Sequence, residues 1–311
     1  MLAPRPTQRL GARTAAAGLV ALSLTAVAAC GGSSSGTPKA GTSSSGGASS
    51  SAAGASGAAA LLPSAYKGGI KVASDTSYAP NEFKDANNKI TGFDYDLGQA
   101  LGGKLGVPFE FSDVTFDGII PALQARRYDI VMSSMSDTKV REKVLTFVDY
   151  YTAGTSLVVA KGNPKGLKTL DDLCGKHAAL EKGTTQDMVV TDANKACTKK
   201  GKPAISVDRL PKDTDALLEI ASGKADVDLN DSPVAAYIAA KSSGKYDSVR
   251  VDSLGTAPYG IGTLSANTDL AKAIQAAFRQ VVADGSYAKI LAKYGIADGS
   301  LTTAQIDGAS S

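Results

Sequence analysis

Short apolar stretches alternate with segments whose apolar residues recur every three or four positions, from about residue 66 onward. The short stretches predict β-strands and the longer spacing predicts amphipathic helices, so the alternation predicts an α/β fold. Strands are predicted at 69–74, 109–111, 128–132, 156–160, 177–180, 204–207, 225–229 and 259–264. Helices are predicted at 96–105, 117–125, 232–241, 268–283 and 287–293, and others begin near 169, 185 and 213.

These elements form two series, the second of which starts near residue 156. A folded body of about 250 residues is also close to the size at which chains divide into two cores. We therefore expect a two-lobed body over residues 62–311. Its first lobe comprises about 66–155 and 252–311, and its second lobe comprises about 156–251.

Residues 1–29 have the pattern of a secretory signal peptide. Arg5, Arg9 and Arg13 precede an uncharged apolar stretch at 15–29 that ends in small residues. That stretch is shorter than the ~20 residues that a membrane-spanning helix needs. We therefore expect export of the chain and removal of this segment.

The run Val27–Cys30 resembles a bacterial lipobox. The resemblance implies that Cys30 receives a diacylglyceryl group and becomes the first residue of the mature protein. An ordinary cleaved signal followed by a chance cysteine is the alternative. Residues 31–60 contain only Gly, Ser, Ala and Thr besides one Pro and one Lys. We expect this segment to be a disordered tether between Cys30 and the folded body.

The charge balance argues against a nucleic-acid-binding body. The chain carries 33 basic and 30 acidic side chains, and the three arginines of the signal segment account for the whole excess of +3. Proteins that bind nucleic acids usually carry a net basic surface. The chain also lacks Trp and has only 6% aromatic residues, so no stacking platform is evident.

The cysteines fit an exported protein. With Cys30 assigned to a lipid, Cys174 and Cys197 remain. Two cysteines in an exported chain favour a disulfide. Metal binding together with His177 is the alternative, but the ligand spacing and the number of ligands are inadequate for it. We expect neither a metal nor a cofactor.

The run Gly92–Leu97 resembles the signature of the family 3 extracellular solute-binding proteins, the amino-acid receptors of ABC importers. That signature alternates apolar and acidic residues after a glycine, and Tyr95 departs from its usual aliphatic residue. The resemblance extends over about 66–296. It implies a two-lobed, periplasmic-binding-protein-like type II fold with a hinge and a central cleft.

The first ligand motif of the family matches Asp75–Pro80, directly after a predicted strand. Open α/β sheets bind ligands at the carboxyl ends of their strands. The resemblance implies that Asp75 lies near the ligand and that Tyr78 lines the side-chain pocket. It also implies that Phe116 stacks on the ligand from the opposite side, although ordinary core packing is the alternative for this residue.

The second motif matches Met132–Arg141, again after a strand. The resemblance implies that Arg141 holds the α-carboxylate of the ligand, which suits the planar fork of a guanidinium. It also implies that Ser133, Ser134 and Ser136 supply hydroxyl and backbone contacts.

The third and fourth motifs fall in the second predicted lobe. Gly183–Gln186 lies at a strand-to-helix turn, where backbone N–H groups meet anions, and the resemblance makes Thr185 a carboxylate contact. Asp231 ends the run Asp226–Asp231 and matches the acid that holds the ligand ammonium. The alternative for Asp231 is a helix N-cap, and its two oxygens allow both roles.

These residues match the chemistry of a zwitterion, whose two charges are costly to desolvate unless the site pairs them. Arg141 belongs to the first lobe and Asp231 to the second, so a bound amino acid would bridge the lobes and favour their closure. The resemblance implies a monomeric receptor for a free, polar amino acid. It also implies delivery to an ABC permease with its ATPase subunit, at the extracellular face of the cytoplasmic membrane.

Two other functions remain open. Some periplasmic prephenate or arogenate dehydratases resemble this family and need a cleft acid, for which Glu82 and Asp149 are candidates. No Gly-x-Ser-x-Gly, Walker or zinc motif is present, so we expect no enzyme. A lipid-anchored sensor or adhesin without transport is the other alternative. Six residues are candidates for the side-chain pocket: Tyr78, Asn81, Glu82, Phe116, Met132 and Asn230.

Overall fold

The computed structural model describes residues 56–309, so the predicted signal peptide, Cys30 and most of the predicted tether lie outside the described residues. The described residues form the α-helices α1 (Ser56–Leu61), α2 (Phe93–Leu105), α3 (Phe116–Gln124), α4 (Thr185–Lys199), α5 (Asp213–Ser222), α6 (Ser232–Lys241), α7 (Thr268–Ala283) and α8 (Ser286–Tyr294). Their strands are β1 (Ile70–Ser74), β2 (Ser77–Tyr78), β3 (Glu82–Lys84), β4 (Ile90–Thr91), β5 (Phe109–Asp113), β6 (Ile130–Val131), β7 (Leu145–Ala160), β8 (His177–Glu181), β9 (Ser206–Leu210), β10 (Val227–Asp231), β11 (Tyr246–Arg250) and β12 (Thr256–Leu264).

The main sheet has the strand order β5-β1-β6-β12-β7-β10-β8-β9, and β11 also pairs with β7. The strand β7 connects two lobes. Its residues 145–154 pair antiparallel with β12, and its residues 155–160 pair with β10 and β11. Lobe 1 contains β1–β6 and β12, and lobe 2 contains β8–β11. The chain returns to lobe 1 beside the same crossing, where the Val251 N–H donates to the Thr155 carbonyl.

The predicted two-lobed α/β fold is confirmed, but the prediction for β7 covered only its last five residues, 156–160. Residues 145–154 are buried almost throughout. A strand buried on both faces shows no alternation of apolar and polar residues, which is why the sequence pattern did not reveal it. The short strands β2–β4 and the half-exposed β11 were also not predicted.

Each lobe has its own core. In lobe 1, α2, α7 and α8 cover one side of the sheet around aromatic residues such as Phe93, Tyr150 and Phe278. In lobe 2, α4 packs on β8 and β10 through Val190 and Leu229. The predicted disulfide between Cys174 and Cys197 is confirmed, with 5.6 Å between the two Cα atoms.

The predicted tether was wrong at its C-terminal end. Residues 56–60 belong to α1 rather than to a disordered segment, and the helix packs against α7. Ala58 is fully buried in the lobe 1 core. Alanine has the strongest helix propensity, and its small side chain allows close helix–helix contact, so an alanine-rich segment can pack without large apolar residues. No helix within residues 56–309 has the length and apolarity needed to cross a membrane.

The topology brings the ends of several strands together at the boundary of the lobes. In lobe 1, β1 lies parallel to β5 and β6, and in lobe 2, β8 lies parallel to β9 and β10. Polar residues follow or end these strands, including Asp75 after β1, Ser133 after β6, Glu181 in β8 and Asp231 in β10. The sheet therefore directs four separated parts of the sequence to one place.

Candidate functional site

A small, nearly closed cavity lies between the lobes. All nine residues predicted to contact a ligand line it. Its lining comprises Asp75, Tyr78, Glu82, Phe116, Ser133, Ser134, Ser136, Arg141, Glu181, Thr184, Thr185, Gln186 and Asp231. Glu181, Thr184 and Gln186 were not among the predicted ligand contacts. Thr184 and Gln186 lie within the third motif, and Glu181 lies two residues before it.

Arg141 is a buried cation. Its Nη1 donates to the Ser136 carbonyl at 2.8 Å, and its Nη2 donates across the cleft to the Gly183 carbonyl at 3.2 Å. The guanidinium carbon lies 5.4 Å from the ring centre of Phe116. Burial lowers the pKa of Arg141 to about 10, so the side chain is still protonated at neutral pH. Among the described residues no carboxylate forms an ion pair with it.

Asp231 is the buried acid of the same region. Its Oδ2 accepts a 2.9 Å hydrogen bond from the Tyr78 hydroxyl, and its Oδ1 accepts one of 2.8 Å from Gln186 Nε2. Burial raises the pKa of Asp231 to about 6, against the opposing effect of the Tyr78 hydrogen bond. Asp231 occupies the N-cap position of α6 but makes no side-chain capping bond. Its carboxylate therefore faces the cavity and does not cap α6.

Two further residues complete this part of the lining. Ser136 Oγ and Thr185 Oγ1 lie 3.5 Å apart across the cleft, at the start of α4. Phe116 lines the cavity and also packs in a lobe 1 core cluster, so the two interpretations of this residue are compatible. We refer to the set Tyr78, Ser136, Arg141, Thr185, Gln186 and Asp231 as the Arg141 group.

Asp75 has a different environment. Its Oδ1 accepts from the backbone N–H and the hydroxyl of Ser77, at 3.0 and 2.7 Å. Its Oδ2 accepts from the Phe116 N–H at 3.1 Å and from Lys212 Nζ at 2.9 Å. Lys212 belongs to lobe 2 and also contacts Asp113 at 2.8 Å. The carboxylate of Asp75 therefore has four donors, about as many as a carboxylate can accept.

Glu82 is held beside a second buried acid. Its oxygens accept hydrogen bonds from Ser133 Oγ at 3.2 Å and Ser134 Oγ at 3.0 Å. Burial, and then the charge of Asp94, hold the pKa of Glu82 well above its usual range. Asp94 itself accepts from the Ser134 N–H at 2.7 Å and from the Tyr150 hydroxyl. This acid of the Gly92–Leu97 signature thus anchors the serine loop of the cavity.

Glu181 is the last residue of β8 and is 5% exposed. Burial raises the pKa of its carboxyl well above the usual range, and the charges of Asp75 and Asp213 act in the same direction. We refer to Asp75, Glu82, Glu181 and the adjacent Lys212 as the acidic group.

The two lobes are in direct contact around the cavity. Besides the Tyr78–Asp231 and Lys212–Asp75 contacts, Lys182 Nζ lies 2.9 Å from Asp117 Oδ2. Gly183 has a φ of +82°, and a Cβ atom at this position would lie 3.1 Å from the Asp117 Cβ of lobe 1. A side chain at this residue would strain the turn and press the lobes apart.

Several predicted candidates do not line the cavity. Asn81, Met132 and Asn230 are buried elsewhere, and the Asn230 side-chain amide donates to Asp213 and Asp228. Of the two proposed cleft acids, Glu82 lines the cavity and Asp149 does not. Asp149 instead lies near Asp137, Glu142 and Asp307, and burial raises its pKa to about 7.

Two clusters outside the cavity bring together side chains that can bind metals: His177, Asp208 and Glu219, and Asp137, Glu142 and Asp307. A lysine is bound to each of them. Lys224 Nζ lies 2.7 Å from Asp208 and 2.6 Å from Glu219, and Lys139 Nζ lies 2.8 Å from Glu142. These ammonium groups already balance part of the charge that would attract a cation.

Comparisons with known proteins agree with this arrangement. The model of the bacterial extracellular solute-binding proteins, family 3, matches residues 70–297. The arginine-binding protein ArgT of Corynebacterium glutamicum is 30% identical over 251 residues, covering 80% of this chain and 82% of that protein. The lysine/arginine/ornithine-binding periplasmic protein of Escherichia coli is 32% identical over 232 residues, covering 72% and 86%.

A solved structure extends the comparison to the fold. The ancestral amino acid-binding protein AncCDT-1, described as a precursor of cyclohexadienyl dehydratase, superposes with a TM-score of 0.65 at 34% identity. The match spans 72% of this chain and 94% of the ancestral protein.

Proposed function

The chain belongs to the bacterial extracellular solute-binding proteins of family 3, and we propose that it is the receptor of an ABC importer for amino acids with a cationic side chain. The observation that carries the preference for a cationic ligand is the charge of the cavity. Four carboxyl groups and only one guanidinium line it. A zwitterion needs one partner of each sign. Of the three further carboxyl groups, Asp75 is paired with Lys212, whereas Glu82 and Glu181 have raised pKa values, so a cationic side chain would supply the charge that favours their ionised forms.

The α-carboxylate of the ligand is proposed to bind Arg141. A buried guanidinium that contacts two carbonyl oxygens retains further N–H donors, and its charge calls for an anion. Thr185 and Gln186 at the start of α4 bring the partial positive charge of a helix N-terminus to the same place. Both features favour a carboxylate.

The α-ammonium is proposed to bind Asp231. This acid is buried, and both its partners are hydrogen-bond donors without charge. An ammonium group would supply the charge that stabilises its ionised form. Because Arg141 and Asp231 belong to different lobes, a ligand bound to both would favour the closed arrangement by its differential affinity.

The relatives support the preference for a cationic side chain. The two relatives described above are named for arginine, and for lysine, arginine and ornithine. We propose that the closed, ligand-bound form delivers its ligand to a membrane permease coupled to an ATPase subunit. We also propose that the receptor is monomeric and tethered by a lipid on Cys30 to the outer face of the cytoplasmic membrane.

A panel of amino acids tested by thermal shift and titration calorimetry on the purified protein examines this proposal. Arginine, lysine or ornithine should raise the melting temperature most, by the equivalent of about 2.7 kcal/mol at 100 times Kd. Neutral and acidic amino acids should have smaller effects. Stabilisation by acidic amino acids alone would contradict the proposed charge preference. No response to any amino acid would contradict the receptor function.

One observation favours a second function. Glu82 is a cavity acid whose environment holds its pKa well above the usual range, as a general acid requires. A dehydratase related to AncCDT-1 would use such a group to protonate a leaving hydroxyl. The purified protein, assayed with prephenate and arogenate, should show no turnover if it is a receptor. Turnover that Glu82→Gln abolishes would establish the enzyme instead.

A further inference from the structure

Glu181 differs from the other acids of the cavity in its hydrogen bonds. Within the described part of the chain, its Oε1 atom is buried and has no hydrogen-bond partner. Asp75 accepts from four donors, while Glu82 and Asp231 each accept from two side chains. A buried carboxyl oxygen without a partner is costly, so it marks a position that a ligand can stabilise.

The position of Glu181 makes a cation the suitable partner. On the cleft side its carboxyl group is within hydrogen-bonding reach of Asp75 of lobe 1, an acceptor that cannot satisfy an ionised Glu181, and within lobe 2 it faces Asp213 and Asp228. The cation Lys212 acts on it in the opposite direction, but this lysine already bonds to Asp75 and Asp113. The surroundings of Glu181 therefore carry more negative than positive charge.

The alternation of side chains along β8 explains why Glu181 faces the cavity. Leu180 packs in the core beneath α4, whereas Ala179 packs in the cluster beneath α5. Glu181 follows Ala179 by two residues and therefore lies on the α5 side of the strand, at its carboxyl end. The start of α5 brings Lys212 and Asp213 to the same point.

We infer that Glu181 is the residue that selects ligands with a cationic side chain, and that Lys212 moderates this selection by competing for the same group of acids. The inference rests on the proposed function and concerns the distal end of the ligand, not its α-carboxylate or α-ammonium. An ammonium or guanidinium at Oε1 would supply the missing donor and the missing charge at once.

The sharpest test compares arginine with citrulline, which has nearly the same shape but a neutral side chain. The ratio of the two Kd values removes effects on lobe closure that both ligands share. Glu181→Gln should reduce the preference for arginine by about tenfold, as expected for loss of a charged hydrogen bond. Lys212→Gln should increase the preference by at least about twofold, because it removes a competing charge.

Glu110→Gln is the matched control, since it makes the same chemical change on the exposed side of β5. It should leave the ratio unchanged. A ratio that stays within twofold of the wild type in both Glu181→Gln and Lys212→Gln overturns the inference. If the wild type binds arginine in that case, the proposed function survives; if the wild type binds no amino acid, the proposed function fails first.

A second readout requires no variant. Binding of a cation next to Glu181 should lower the pKa of this carboxyl and release protons. Calorimetric titrations in buffers of different ionisation enthalpy should show more proton release with arginine than with citrulline, and Glu181→Gln should remove that difference. Equal proton release by the two ligands in the wild-type protein would contradict a cation contact at Glu181.

Discussion

The Arg141 group and the acidic group line one cavity but differ in how their charges are balanced. Arg141 and Asp231 form hydrogen bonds only with uncharged partners, and their opposite charges act on each other only through space. In the acidic group, Lys212 neutralises Asp75, and Glu82 shares its site with Asp94. The first group is organised for two opposite charges of a ligand, and the second for one additional positive charge.

The Arg141 group matches the part of a ligand that all amino acids share, and the acidic group matches the part that distinguishes them. An α-carboxylate and an α-ammonium are present in every ligand of this type, and the Arg141 group offers a partner for each. The acidic group offers its unpaired oxygen at Glu181 to a group that only some amino acids carry. Substitutions in the two groups should therefore have different effects on affinity and on selectivity.

The largest effect is expected from Arg141→Ala. Loss of the buried guanidinium leaves the ligand carboxylate without a counter-charge, which should weaken the binding of every amino acid by about 3–5 kcal/mol, or on the order of 10²–10⁴-fold. Calorimetry measures the loss. Arg127→Ala, on the exposed surface, is the control and should bind normally. A selective loss of basic ligands alone would place Arg141 in the acidic group instead.

A smaller effect is expected from Asp231→Asn. Asparagine keeps the shape and one of the two acceptor oxygens, but it removes the charge that would pair with the ligand ammonium and replaces the other acceptor with an amide NH2 group. Affinity for arginine and citrulline should fall together, by about 2 kcal/mol or ~30-fold. Asp192→Asn, at an exposed position of α4, is the control. A change in the arginine-to-citrulline ratio would show that Asp231 acts on the ligand side chain.

How far the sequence predicted this cavity differs between the two groups. Arg141, Thr185 and Asp231 were named because they stand in motifs that resemble those of the family. Glu181 lies two residues before such a motif, and no local pattern distinguishes it from the end of an ordinary strand. Its role depends on Asp75, Asp213 and Lys212, which are distant in sequence and meet it only in the folded chain.

The fold shows the same limit. Helices α6 and α7 were predicted with the bounds that the structure has, because their apolar spacing is local. The first half of β7 and the helix α1 were not, since their burial depends on neighbours from the rest of the chain. The helix predicted to begin near 213 has Lys212 at its N-cap position, and Asp213 accepts a buried hydrogen bond from Asn230.

The pH dependence of binding also distinguishes the Arg141 group from the acidic group. We expect its effect on affinity to be intermediate in size. Burial raises the pKa of Asp231 to about 6, and pairing with an ammonium requires the ionised form. Affinity for every amino acid should therefore be constant above pH 7 and fall by about tenfold between pH 7 and pH 5. Because Glu181 also has a raised pKa, arginine should lose more affinity than citrulline as the pH falls.

Titrations of both ligands at pH 5, 6, 7 and 8 test this prediction. The pH profile of citrulline should lose most of its slope in Asp231→Asn. The additional slope for arginine should disappear in Glu181→Gln. Parallel profiles for the two ligands in the wild-type protein would remove the distinction between the groups.

The smallest effect on binding is expected from Asp149, an acid outside the cavity whose pKa is also raised. Burial raises the pKa of Asp149 to about 7, and the nearby Asp137 carboxylate contributes in the same direction. A carboxyl whose pKa is higher in the folded state binds its proton more tightly when folded, so it stabilises the fold at low pH. This contribution is lost as the pH rises from about 4 through about 7.

Asp149→Asn should therefore stabilise the protein at pH 8, by about 1–2 kcal/mol after allowance for solvent screening, and have little effect at pH 5. Chemical denaturation at the two pH values measures the difference. Affinity for arginine and citrulline should stay within twofold of the wild type, because Asp149 does not line the cavity. A raised pKa then affects ligand binding only where a ligand can reach the acid. If Asp149→Asn instead changes the pH profile of binding, the cluster around Asp149 is coupled to the cavity, and residues beyond the cavity lining contribute to binding.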